Sequence, residues 1–324
     1  MWSLQYLRGL SSSVSLLGSE DATTFRHLLH YCCAEKQLRA VNRLAFDIVS
    51  RAKTKDKVDQ LAEEKMKRYA FLAYGVSCHM LFLGVYAWMA LFMGNWGFGL
   101  LATIDGEPKL EFALAALINT TLIMAFVVPH SIMARPAFKR WWTRIIPKPI
   151  ERSTYVLVSC LLMIALLWFW QPMGFLIWDI TQPFGRGIIY SLYLLGVLLV
   201  PLVSLMINHF DLFGTRQVWL YFRGRQYHHL PFRTPLAYRF VRHPLYVGWM
   251  LFFWAAPTMT VAHLLFAGLT TAYMLVAISV EERDLVDHFG EKYLKYQRQV
   301  GALFPRFRKG QTVASQLAEF DGSE

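Results

Sequence analysis

Five long stretches of this chain, 69–93, 112–133, 154–178, 187–208 and 244–280, contain no Asp, Glu, Lys or Arg. A helix needs roughly 20 residues to cross a hydrocarbon core, and inside that core every backbone donor and acceptor must be satisfied within the protein. The first four stretches each suit one helical span. The fifth, 244–280, is too long for one helix and is interrupted by Ala255-Ala256-Pro257-Thr258-Met259-Thr260. Proline removes a backbone donor and favours a break, which predicts two helices of about 13–18 residues folded as a tight hairpin. The expected fold class is an all-α integral membrane protein of about six transmembrane helices. Four are long spans, and the rest is a helical hairpin that either crosses fully or stops short. Composition agrees: 17% of the 324 residues are charged, where soluble domains average about a quarter. With 55% hydrophobic and 15% aromatic residues, disorder is excluded.

The charges that remain are distributed by side. Segment 134–153 holds Arg135, Lys139, Arg140, Arg144, Lys148 and Arg152 against Glu151, and segment 209–243 holds six arginines against Asp211. The alternate connections, 94–111 and 179–186, carry one basic residue each, Lys109 and Arg186. With both tails counted, one face collects 31 of the 33 basic residues. Basic loops stay cytoplasmic, so both termini are expected in the cytoplasm, in the manner of a bacterial inner-membrane protein. The net charge of +11 thus reports topology. No zinc-finger spacing, RNP-like motif or basic helix points to nucleic acid.

Of the four cysteines, Cys32 and Cys33 fall in the N-terminal tail, and Cys78 and Cys160 fall inside spans. No disulfide framework follows. His228 and His229 are adjacent and would diverge on a helix, so no metal site is expected. Residues 1–65 are polar and mixed in charge, with a Ser-rich run at 11–15, and read as an extension outside the functional core. The four helices of 66–208 then precede a site region at 209–309 and a tail at 310–324.

Two motifs carry chemistry. Arg242-His243-Pro244-Leu245-Tyr246-Val247-Gly248 places proline where a helix tolerates it, in the first turn. His243 then lies near the N-cap, where unpaired N–H groups and the helix dipole favour an anion. Gly248 would allow a ligand or a helix to approach. Glu281-Glu282-Arg283-Asp284 lies at the far end of the hairpin. A chain that leaves at 244 and returns at 280 must end on the face where it began, so Glu281 and Glu282 come back to the level of His243. An anion-attracting helix start beside carboxylates suits a zwitterionic ligand, and Tyr293 and Tyr296 beyond Phe289-Gly290 could fold over it with aromatic faces toward a cation. Arg283 is either catalytic or a counter-charge to Glu281 and Asp284.

The pattern Arg-His-Pro-x-Tyr-x-Gly, a hairpin, then Glu-Glu and Phe-Gly-x-x-Tyr-x-x-Tyr resembles the isoprenylcysteine carboxyl methyltransferase superfamily, over about 240–305. More narrowly, the run from Asn208-His209-Phe210-Asp211 to Val218-Trp219-Leu220, with Trp254-Ala255-Ala256-Pro257, resembles bacterial methanethiol S-methyltransferases. The resemblance implies a membrane-embedded enzyme that uses S-adenosylmethionine without a Rossmann domain and converts methanethiol to dimethyl sulfide. The alternatives are methylation of a prenylcysteine carboxylate or another lipophilic acceptor, or a non-enzymatic membrane protein. By the resemblance His243, Tyr246, Glu281 and Glu282 line the cofactor pocket, and the reading of the two motifs adds Arg242, Pro244, Gly248, Tyr293 and Tyr296 to the expected cofactor-binding residues. Asp211, Gln217 and Trp219 contact the small thiol. His209, Glu281 and Arg283 are the candidate catalytic residues, although His209 could equally hydrogen-bond Asp211. His79, within the first span, is either a functional intramembrane group or a neutral histidine bonded to a neighbouring helix. His130 and His263, nearer span ends, carry no claim.

Overall fold

A computed structural model describes residues 19–228 and 234–306. The chain divides into two compact units, 1–67 and 68–324. Helix α1 (Ser19–Met93) begins in the first unit and ends in the second. In the first unit, residues 53–66 are all exposed and Glu63 pairs with Lys67 at 2.6 Å, one helical turn apart. The side chains of Cys32 and Cys33, the serine run at 11–15, His229 and the tail at 310–324 lie outside the described residues.

Five helices are long and apolar enough to cross a membrane: Phe46–Met93, Phe112–Ala134, Lys148–Phe169, Pro183–Ile207 and Val261–Phe289. The chain is an integral membrane protein. In chain order after α1 come α2 (Phe112–Ala134), α3 (Pro136–Trp142), α4 (Glu151–Phe169), β1 (Leu176–Asp179) and α5 (Pro183–Ile207). They are followed by α6 (His209–Leu212), α7 (Thr215–Phe222), α8 (Pro244–Trp254), β2 (Thr258–Thr260), α9 (Val261–Phe289) and α10 (Glu291–Gln299).

The hairpin departs from the two similar helices expected. Its first arm, α8, has 11 residues and its second, α9, has 29. At 1.5 Å per residue α8 rises about 16 Å, half a hydrocarbon core. The chain then turns through 255–257 and continues as the three-residue strand β2. Its backbone is satisfied by β1, which pairs with β2 antiparallel, with Leu176 opposite Thr260 and Asp179 opposite Thr258. Ile180 N–H donates to Pro257 O at 2.9 Å and Val261 N–H to Phe175 O at 3.0 Å. For the same reason the charge-free stretch 154–178 is not one helix. It is helical to Phe169 and then turns back as a strand.

Packing between α5 and α8 rests on two glycines. A Cβ on Gly196 would stand 2.5 Å from Phe252 N and 3.0 Å from Gly248 O, and one on Gly248 would stand 3.3 Å from Val200 N. Small residues let helix backbones approach where hydrophobic attraction between spans is weak. The core beneath this contact is built from Phe92, Met93, Leu167, Tyr193, Phe252 and Phe266. Asn119, fully buried in α2, exchanges hydrogen bonds with the Gln171 backbone at 2.7 and 2.9 Å, so a polar group inside a span is fully used.

At the sheet end of the bundle, Asp105 accepts from Thr260 Oγ1 at 2.5 Å and Asn95 Nδ2 at 2.6 Å, and lies 3.3 Å from His263 Nδ1. Burial raises the Asp105 pKa, but the hydrogen bonds and charge of His263, with Thr260 and Asn95, outweigh it and hold the carboxyl below its ordinary value. His263, 1% exposed, also meets Phe253 O through Nε2 at 2.9 Å. This cluster ties the 94–111 loop to the start of α9.

Candidate functional site

At the opposite, basic end the hairpin returns where topology requires. His243 is the N-cap of α8 and Pro244 its first residue. His243 Nε2 lies 2.9 Å from Glu282 Oε1, and Arg242 Nε donates to the same oxygen at 2.7 Å. Gln297 donates to Glu282 Oε2 at 2.9 Å. Both carboxylate oxygens of Glu282 are therefore occupied by protein. Arg242 Nη1 donates to the carbonyls of Gln297 and Val300. The backbone N–H groups of Arg242 and His243 donate to Gly301 O and Ala302 O at 2.8 and 3.0 Å. The helix start thus pins the C-terminal segment, and those two N–H groups are not open to an anion.

Glu281 differs from its neighbour. Its side chain is 46% exposed where that of Glu282 is 16%. Tyr246 donates to Glu281 Oε2 at 3.0 Å, and His243 Nδ1 stands 4.0 Å from the same oxygen. Among the described residues no hydrogen bond reaches Oε1. Tyr238 lies within electrostatic reach, and burial followed by the Glu281 charge pushes its hydroxyl above the ordinary value, keeping it neutral. Glu281 is thus a carboxylate with one face free for a cation.

Tyr293 and Tyr296 do fold back toward this end, through α10. They are 2% and 5% exposed and pack with Val300, Leu285, Val286 and Phe289. Tyr296 donates to Tyr238 O at 2.5 Å. Their rings brace the segment that carries Gln297. Arg283 is exposed, with its helix neighbour Asp284 paired to Arg135 at 2.9 Å. Gly248 faces Val200 of α5.

The polar side chains of 209–222 make contacts of their own, while Leu212 and Phe213 line a cavity together with Tyr246. Asp211 accepts from Arg216 at 2.8 Å, Gln217 Nε2 at 3.3 Å and Tyr227 at 3.3 Å. Trp219 points outward and is half exposed, stacked near Phe222 and Arg223. His209 does not bond Asp211. Its Nδ1 lies 2.7 Å from Ser204 Oγ and its Nε2 lies 3.3 Å from His79 Nε2. Burial, and then the neighbouring His79, hold the His209 imidazole below its ordinary pKa. Of the two readings open for His79, the geometry matches a histidine bonded to a neighbouring helix.

Between α1, α2, α4, α6, α8 and α9 lies a cavity of about 310 Å³. Its walls are mostly apolar, and Tyr246, Tyr155, Tyr273, His130 and Ser159 supply polar groups together with Tyr86 and Thr270, whose hydroxyls donate to Val197 O and Phe266 O. Tyr246 belongs both to this wall and to the Glu281 cluster, and it lies within electrostatic reach of Tyr155 and Tyr273. The polar end of the cavity therefore adjoins Glu281. Ser159 donates to Tyr155 O at 2.9 Å, so its oxygen must accept from His130 Nδ1–H at 3.0 Å. That assignment leaves the lone pair on Nε2. The Tyr155 hydroxyl lies 2.9 and 3.1 Å from the two ring nitrogens, a position possible only over the ring face, so among the described residues Nε2 has no partner in its own plane. His130 was unmarked in the sequence. The i to i+4 pair Tyr155 and Ser159 on one face of α4 was the available signal.

Among the described residues no group of three or more His, Cys, Asp or Glu could hold a metal ion. Cys78 and Cys160 are free thiols, both buried.

Comparison with known proteins adds an independent line. The chain is 49% identical over 245 residues to a methanethiol S-methyltransferase of Crocosphaera subtropica, covering 76% of this chain and 95% of that protein. A methanethiol S-methyltransferase of Mycobacterium tuberculosis is 44% identical over 240 residues, 74% of this chain and 98% of its own length. Nurim of Rattus norvegicus is 29% identical over 187 residues, 55% of this chain and 68% of that protein. No protein-family profile and no solved structure matches the chain.

Proposed function

The chain belongs to the methanethiol S-methyltransferase family, and from that membership we propose how its residues divide the work. The reaction methylates methanethiol to dimethyl sulfide, with S-adenosylmethionine as methyl donor. The single observation that carries the division is the Tyr246 side chain, which lines the apolar cavity and donates to Glu281 at 3.0 Å.

The residues fit a cationic cofactor, because Glu281 is a half-exposed carboxylate with an unpartnered oxygen. Bound S-adenosylmethionine supplies an electrophilic methyl on a sulfonium centre. Glu281 and Tyr246 hold its cationic part, and the Arg242–Glu282–His243–Gln297 network fixes the backbone from which they project. The thiol occupies the cavity, whose apolar walls exclude water and align the acceptor, which is most of what an in-line displacement requires. A thiol with a pKa of about 8.5 or more is largely protonated at neutral pH. His130 Nε2 is the acceptor for that proton, and Tyr155 and Ser159 hold the ring. By the excess of basic residues at the Glu281 end, this end faces the cytoplasm. The charged cofactor then enters from water while the apolar thiol arrives through the bilayer.

The test is headspace dimethyl sulfide from purified protein in nanodiscs supplied with S-adenosylmethionine and methanethiol. Wild type produces it and Glu281→Ala loses most of it. Equal production by the two would remove Glu281 from the site.

A further inference from the structure

The cavity is far larger than methanethiol needs. Counting about 30 Å³ for each heavy atom, a water molecule's share, methanethiol fills roughly 60 Å³ of the 310 Å³ present. The excess is apolar. Beyond the polar end, the walls are side chains such as Met89, Ile123, Leu166, Phe253 and Phe266, and a space so lined stays dry and takes an apolar guest.

We propose, resting on the methyltransferase reading above, that the enzyme also methylates larger apolar thiols, with chains of four to six carbons. The cavity orients such a molecule without ambiguity. The Tyr86 and Thr270 hydroxyls in the wall are spent on backbone carbonyls, whereas Tyr246, Tyr155 and His130 adjoin Glu281, so the sulfur lies there and the alkyl chain extends between Leu166 and Phe266. Hexanethiol, with seven heavy atoms, needs roughly 210 Å³ on the same count, less than the 310 Å³ present. The chemistry balances as for methanethiol. The bond from the sulfonium sulfur to the methyl breaks with its electron pair left on the cofactor, a carbon–sulfur bond forms to the substrate, and the thiol proton leaves on His130. The products are an alkyl methyl sulfide and S-adenosylhomocysteine.

The experiment uses the full chain in nanodiscs with methanethiol, butanethiol, hexanethiol and decanethiol, reading each methyl sulfide by gas chromatography with mass detection. The apparent KM should fall by up to about fourfold per added methylene as far as hexanethiol and rise again at decanethiol. Two variants of opposite sense test the cavity. Cys160→Phe should lower the hexanethiol-to-methanethiol ratio of kcat/KM at least tenfold, and Leu166→Ala should move the length optimum upward. A general folding defect cannot shift the optimum in both directions. Turnover of methanethiol with butanethiol below one hundredth of that rate would overturn the proposal and leave the methanethiol reading standing. Turnover of no thiol at all would overturn both.

Discussion

Tyr246 hands its hydroxyl hydrogen to Glu281 at 3.0 Å from within the wall of the intramembrane cavity. The next residue, Glu282, is enclosed by Arg242, His243 and Gln297. Adjacent carboxylates therefore have separate duties, and their variants should fail differently. Glu281→Gln should weaken S-adenosylmethionine binding about tenfold, equivalent to about 1.4 kcal/mol, with little change in thermal midpoint. Glu282→Ala should cost about 3 kcal/mol of stability, because it leaves Arg242 without its buried partner. Calorimetric binding and thermal unfolding, run on both variants, check the split. Equal loss of stability in the two would refute it.

In the proposed division of work His130 takes the thiol proton. Replacing it with Gln should lower kcat about 100-fold near neutral pH, within the range of general-base contributions. The loss should shrink as the pH approaches the thiol's own pKa, where solvent hydroxide already provides thiolate. A pH–rate profile parallel to that of wild type would assign His130 a purely structural role.

Asp105 gives a pH dependence of stability whose sign is set by its partners. Its folded-state carboxyl lies below the ordinary value, held there against burial by His263, Thr260 and Asn95. A depressed acid contributes stability that is present above the ordinary carboxylate pKa and is lost as pH falls through the folded value. Asp105→Asn should therefore be less stable than wild type at neutral pH by about 1–3 kcal/mol. The difference should close in acid. Thermal midpoints of both proteins across that range decide it.

The contact between α5 and α8 predicts a ranking of three alanine variants. Gly196→Ala meets backbone atoms at 2.5–3.0 Å and should cost about 3 kcal/mol or disrupt folding, in the upper range for overpacking. Gly248→Ala meets Val200 Cγ2 at 3.1 Å and should cost less. Gly268→Ala has nothing within 4 Å of the added carbon and should be neutral or slightly stabilising. Midpoints in one detergent give the order, and a Gly196→Ala as stable as Gly268→Ala would contradict the close approach.

The parts legible in the sequence were those set by one-dimensional rules. Missing charges marked the spans, and the obligatory return of a hairpin brought Glu282 to His243. What stayed hidden depended on pairing between distant segments. Nothing local links Asp105 to His263, 158 residues away. His130 looked like a span-end histidine because its partners, Tyr155 and Ser159, sit on another helix. The short α8 was concealed because an apolar run reads alike whether it is helical or extended. Trp254-Ala255-Ala256-Pro257 marked the break, but only the pairing with Leu176–Asp179 determines that the chain continues as a strand.

That half-length helix bears on how the hairpin is held. An apolar segment of 11 residues falls below the length that partitions into lipid as an independent span, and the extended stretch after it has unpaired backbone until β1 is beside it. α8 is therefore held at membrane depth by its neighbours, the close contact with α5 and the connection to α9, and the meeting of Glu282 with His243 depends on both arms of the hairpin being in place.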